Sequence, residues 1–238
     1  MRTRVLVLIL AGACGRIGFD DVGADGDGGA GGSITWVQTF VSHAVLSGSS
    51  TTDTFTGSAL HAGDAIIVHV FCQDATPTAV AIDAPGWSFM QLGSLVEQSS
   101  SGYNATSFGA VAPDTTPQTF SVVWTASVPC GFFDEIGDEL AGVDPAGGVT
   151  TFDSHAEIAA SGDCHVDITT HHANDAVWTA CSGNAVTAVG AGYIKSADDG
   201  YGDWSAYKLT TEPAGTLETT SFTGTMSFVI TSVTIKPR

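Results

Sequence analysis

From Ile34 onward, apolar and polar positions alternate over short runs, and clusters of Gly, Pro, Asn and Asp separate one run from the next. A period of two is the signature of β-strands, and the separators are turn formers. The strongest run is 64–72. Ile66, Val68, Val70 and Cys72 share one face, and Ala65, Ile67, His69 and Phe71 share the other. A strand apolar on both faces belongs at the centre of a sheet, and His69 on such a face reads as a buried, hydrogen-bonded histidine. Further strands are expected at 34–41, 79–83, 90–97, 106–112 and 119–126, the last with Phe120, Val122 and Trp124 inward. Residues 44–63 are polar and β-branched, the mark of one edge strand with turns. At 132–143, Phe132, Ile136 and Leu140 share a face in a strand or a helix, and Gly137 and Gly142 favour the strand. Near the C-terminus Met226, Phe228 and Ile230 alternate in one phase while Val233 and Ile235 follow the other. That slip predicts a bulge near Thr231–Ser232.

The chain also echoes itself. His61-Ala62-Gly63-Asp64-Ala65-Ile66 returns as His172-Ala173-Asn174-Asp175-Ala176-Val177. Each copy continues into an apolar run, a cysteine (Cys72, Cys181) and Thr-Ala-Val (78–80 and 187–189). The repeat predicts one turn-plus-strand unit used in each half of a two-sheet sandwich. The fold expected is all-β: an antiparallel, jelly-roll-like β-sandwich over 34–238. Ser, Thr, Gly, Ala and Val dominate and helix formers are scarce, which agrees with that class.

Charge narrows the partners. The net charge is −18, and removing Arg2 and Arg4 would take it to −20. No Lys or Arg occurs between Arg16 and Lys195. Such a chain repels phosphate backbones, so no nucleic-acid partner is expected.

The first residues carry an address. Arg2 and Arg4 precede the apolar run Val5 to Leu10, which is too short to span a bilayer, and small residues follow it. Ala11-Gly12-Ala13-Cys14 resembles the lipobox of bacterial lipoproteins, although the leucine that family places three residues before the cysteine stands here at Leu10, four before. The resemblance implies a signal peptide at 1–13, lipidation of Cys14 and a membrane anchored through that lipid. The alternative is ordinary secretion with Cys14 in the discarded peptide. Residues 14–33 hold Asp20, Asp21, Asp25 and Asp27 among glycines and read as a disordered acidic tether. Gly15 after the cysteine is compatible with outer-membrane sorting in that family, so the expected location is the cell envelope.

Export also explains the cysteines. Four remain beyond Cys14, an even number that suggests two disulfides with three connectivities. Folding 164–170 as a hairpin against 175–181 places Cys164 opposite Cys181, and Cys72–Cys130 then follows by elimination. The segments 63–71, Val80-Ala81-Ile82-Asp83-Ala84-Pro85-Gly86-Trp87, Glu139-Leu140-Ala141-Gly142-Val143-Asp144 and 174–180 together resemble bacterial extracellular jelly-roll modules of surface and adhesive proteins. That resemblance implies the fold more than an activity.

Several residues are candidates for chemistry. Glu135-Ile136-Gly137-Asp138-Glu139 approaches the Glu-x-Asp-x-Glu strand of jelly-roll glycoside hydrolases. Gly137 holds its middle position, and a regular strand turns Asp138 to the other face. Asp198, Asp199 and Asp203 gather oxygen ligands in a Gly-bearing loop suited to Ca²⁺, without the EF-hand spacing. His165, His171 and His172 lie close to Asp163 and Asp167, but no paired Cys-x-x-Cys or His-Glu-x-x-His is present. Trp87, Tyr103, Tyr193, Tyr201 and Trp204 are candidates for stacking on a sugar, whereas Trp36, Trp124 and Trp178 fall in strand phase and read as core. Three functional classes follow: a non-enzymatic surface module binding glycan or envelope components, an exported glycoside hydrolase or lyase, and a structural envelope protein.

Overall fold

The alternating runs become sixteen strands in the computed structural model, whose described residues are 33–45, 50–116, 118–183, 186–224 and 227–238. Cys14 and the tether expected at 14–33, apart from Ser33, lie outside them. The first eight strands are β1 (Thr35–Val45), β2 (Thr52–Thr56), β3 (Ala65–Gln73), β4 (Pro77–Asp83), β5 (Met90–Gln98), β6 (Tyr103–Val111), β7 (Thr119–Ala126) and β8 (Phe132–Ala141). A short 3-10 turn at Pro145–Thr151, capped by the Asp144 carboxylate, leads into the second eight. These are β9 (Phe152–Ser161), β10 (Cys164–Thr169), β11 (Ala176–Gly183), β12 (Ala188–Val189), β13 (Ile194–Asp198), β14 (Trp204–Leu209), β15 (Leu217–Thr223) and β16 (Ser227–Ile235).

The strands form four antiparallel sheets, and the second pair repeats the first. The orders β1-β8-β3-β6-β5 and β2-β7-β4 become β9-β16-β11-β14-β13 and β10-β15-β12 when eight is added to every strand number. Each half is therefore an eight-stranded roll in which the chain passes between a five-stranded and a three-stranded sheet, as in a jelly roll. The expected β-sandwich is present, and twice over. The two echo copies precede β3 and β11, the central strands of the two larger sheets, and the two Thr-Ala-Val runs enter β4 and β12, so the echo marks a repeat of whole rolls.

Three apolar layers follow from the pleat. Ile66, Val68, Val70 and Cys72 of β3 meet Val80, Phe120, Val122 and Trp124 inside the first roll. Val177 and Cys181 of β11 meet Cys164, Ile168 and Phe222 inside the second. The other faces of the larger sheets pack on each other along a seam. There Ala65, Ile67 and Leu140 meet Ala176, Trp178, Val233 and Ile235, and Phe71 and Ala105 meet Val229. Strands of these sheets are thus buried on both faces, worth about 1.5–3 kcal/mol for each large side chain.

Double burial also corrects the expected bulge near Thr231–Ser232. β16 pairs with β11 in unbroken register from Ala176↔Ile235 to Gly183↔Phe228. Phe228 and Ile230 face the roll interior, while Val233 and Ile235 face the seam, so the apolar phase changes because both sides are core. Both disulfides have the expected partners, Cys72–Cys130 and Cys164–Cys181. The hairpin expected for the second is absent: β10 pairs with β15, and β11 pairs with β14 and β16. The bridge instead ties the two sheets of the second roll to each other.

Candidate metal centre

β8 carries the chemistry, because alternation divides its carboxylates between two buried faces. Asp134 and Asp138 turn to the seam; Glu135 and Glu139 turn into the first roll. All four are fully buried. Gly137 fits between them because Phe40 fills the space: a Cβ there would lie 2.5 Å from the Phe40 ring. The hydrolase-like grouping of three carboxylates on one face is therefore not formed.

Two of the four are held by their neighbours. Asp138 Oδ1 accepts from Trp36 Nε1 (3.2 Å) and Thr39 Oγ1 (2.7 Å). Its Oδ2 accepts from Trp178 Nε1 (2.6 Å), Ser196 Oγ (2.6 Å) and Ser205 Oγ (2.9 Å). Five donors from both rolls thus converge on one carboxylate at the seam. Glu139 accepts from the His61 backbone (2.5 Å) and from Gln38 Nε2 (2.6 Å), which fixes the turn before β3. His61 Nδ1 lies 3.1 Å from the same carboxylate. Beside it, burial and then the Glu139 charge push Asp64 up to about 6. His69 is buried as expected, between Ser182 Oγ and Thr231 Oγ1 at 2.9 Å each, and desolvation lowers it to about 3.

Asp134 has no such support. No N–H or hydroxyl group reaches either of its oxygens, and the polar group it meets is the Asp203 carboxyl, with which it can share a proton. Its neighbours are Asp199 and Asp203, on the loop between β13 and β14, and one oxygen from each of the three carboxylates lies within 4.8 Å of the others. Asp199 Oδ1 collects the N–H groups of Tyr201 (2.8 Å), Gly202 (3.0 Å) and Asp203 (3.0 Å), while its Oδ2 is buried without a partner. Gly200 and Gly202, at φ 83° and 112°, allow the loop to close around it. Asp203 is buried and takes the Gly183 N–H at 2.7 Å. Burial, then the charges of Asp203 and Asp199, push Asp134 well above the carboxylate range; burial and then Asp199 do the same to Asp203. Two carboxylates at such spacing repel by about 3 kcal/mol at an effective dielectric of about 20. Three charged together would consume much of a domain's typical stability of about 5–15 kcal/mol, so the cluster requires protons or a cation.

A pocket of about 100 Å³ opens beside the cluster, and its lining includes Phe71, Gln73, Tyr103, Phe132, Tyr201 and Asp203. Tyr201 is 55% exposed and meets Phe132 edge-on at 6.2 Å. Trp204 lies on β14 under the Lys195 ammonium, 4.0 Å from the ring centre. Trp87 is core: it stacks on Phe89 at 5.4 Å and meets Phe120 edge-on. Of the five stacking candidates, Tyr103 and Tyr201 line the pocket, and Tyr193 is buried in the second roll. Asp198 is exposed and paired with Lys195 at 2.9 Å, and the carboxylates that lie together are Asp134, Asp199 and Asp203.

Two further clusters involve histidine. Glu135 sits with Asp53 and His43, and burial and then Asp53 push it well up. Asp153 faces His172 at 2.8 Å and His171 at 3.5 Å, while Asp175 Oδ2 caps the turn by accepting the N–H groups of both histidines. His165 bonds instead to the Asp163 carbonyl.

Asp134 is the residue that sequence reasoning misses. Its signal is its place on a face otherwise held by Ile136, Asp138 and Leu140, where a carboxylate needs a partner. Compared with protein-family models, curated proteins and solved structures, the chain finds no match.

Proposed function

We propose that this protein is a non-enzymatic, membrane-anchored envelope lipoprotein whose double roll binds a glycan or another envelope component. The observation that carries the reading is the aromatic-rimmed pocket at the seam. Tyr201 and Phe132 offer ring faces and edges, and Gln73 offers polar groups to hydroxyls. Burial of Glu135, Asp138 and Glu139 within the fold supports a binding role over hydrolysis, since a glycosidase needs such carboxylates at a groove. The two disulfides suit an oxidising compartment. Among the described residues no helix is long and apolar enough to cross a membrane, and Cys14 supplies the anchor in this reading.

A glycan array probed with full-length protein and with Tyr201→Ala tests the binding role. Retention of a defined glycan class by the wild type, and its loss in the variant, is expected. Equal binding by both proteins, or none by either, would refute the pocket. Fatty-acid labelling of wild type against Cys14→Ala tests the anchor, and equal incorporation would refute it.

A further inference from the structure

We infer that Asp134, Asp199 and Asp203 bind one calcium ion that joins the two rolls. The ligand set is entirely carboxylate oxygen, which suits a hard cation and disfavours zinc or copper. Asp134 belongs to the first roll and the other two to the second, so the ion would add a direct link across the seam.

What separates this cluster from an ordinary acidic patch is Asp134 itself. It is fully buried, no N–H or hydroxyl reaches either of its oxygens, and it is aimed at two more carboxylates, of which Asp203 can share a proton with it when no ion is bound. Asp199 Oδ2 is a further buried oxygen without a partner. The three N–H groups on Asp199 Oδ1 and the Gly183 N–H on Asp203 Oδ1 fix two carboxylates in place, and Asp199 Oδ2 is left for an ion. The adjoining pocket gives water a route to complete the six to eight oxygen ligands that calcium takes. The clusters that contain histidine differ in their donors: Asp153 and Asp53 face histidine nitrogens, although Glu135 beside Asp53 is likewise buried without a donor. Neither the tether nor the glycan reading enters this inference.

The test uses purified full-length protein stripped of divalent ions. Tb³⁺ luminescence excited through Tyr201 and the tryptophans, with Ca²⁺ as competitor, should report one site per chain. Calcium about 100-fold above Kd should raise the Tm by about 5–10 °C. Asp134→Asn should weaken calcium binding at least about tenfold, while its Tm without calcium equals or exceeds that of the wild type because Asn is buried neutral without having to take up a proton. Asp198→Asn, on the same loop but outside the site, should keep the full calcium response. A wild-type Tm unmoved by millimolar calcium would overturn the site, as would an Asp134→Asn response equal to the wild type. Should Asp134→Asn fail to fold, Asp199→Asn decides, and an unchanged calcium response there overturns the site equally.

Discussion

Asp138→Ala is the sharpest probe of the seam. Removing the carboxylate deprives five donors of their acceptor, but the donors differ in what they can do next. Ser196 Oγ and Ser205 Oγ lie 2.8 Å apart and can bond to each other. Thr39 Oγ1 is 2.9 Å from the Ser196 carbonyl and can turn to it. Trp36 is half-buried and reaches water. Trp178 is fully buried, so its indole N–H is stranded. A stranded buried donor costs about 1–3 kcal/mol, and the lost charge-assisted bonds and the small cavity add to that. Relief from burying a charge subtracts some of it. We expect a net loss of about 3 kcal/mol, which at an m-value of about 2–3 kcal/mol/M lowers the urea midpoint by about 1–1.5 M. Urea unfolding followed by tryptophan fluorescence measures it. A loss below about 1 kcal/mol, with m unchanged, would show that the carboxylate does not hold the seam.

Other consequences are as direct. Gly137→Ala forces a methyl against the Phe40 ring and should lose about 1–3 kcal/mol, read as a lower Tm; an unchanged Tm would contradict the packing. Non-reducing peptide mapping should link Cys164 to Cys181 and Cys72 to Cys130, and a Cys72–Cys164 peptide would contradict the structure. Losing these bridges should cost about 3 kcal/mol for the 17-residue separation and about 4 for the 58-residue one. His69 is held neutral, with its folded pKa near 3 against an ordinary 6.5. Its contribution is complete above pH 6.5 and is lost as pH falls toward 3, by up to about 1.4 kcal/mol per pH unit. The stability advantage of wild type over His69→Gln should therefore shrink between pH 6.5 and 4.5; a constant gap would contradict this. Asp64 and Asp134 titrate in the opposite sense. Their folded pKa values are raised, so they lower stability as pH rises above the ordinary carboxylate value.

Period-two patterning made the strands legible because each sheet is pleated over a dry face. β3, with eight of its nine residues buried, stood out because it is dry on both sides. β16 has the same environment, yet its two apolar faces read as one slipped face, since a sequence does not say how many layers cover a strand. The echo was legible at its turn and at Thr-Ala-Val. Its extent was not, because the strands around it pair across long separations and share little identity. Cysteine pairing came out correctly from a hairpin that does not exist: β10 and β11 are sequence neighbours brought face to face across two sheets, and a lateral and a facing contact look alike in one dimension. In the carboxylate cluster Asp199 and Asp203 were visible as neighbours on one loop. Asp134 was not, because it is 65 residues away in the chain and only the stacking of two rolls brings it there.

Crystals grown in calcium, with data collected at a wavelength where calcium scatters anomalously, test the joined double roll most directly. One anomalous peak enclosed by Asp134, Asp199 and Asp203, with oxygens at about 2.3–2.6 Å, is the predicted result. Carboxylates in direct contact with no peak between them, or a calcium ion held by Asp198 instead of Asp134, would contradict it.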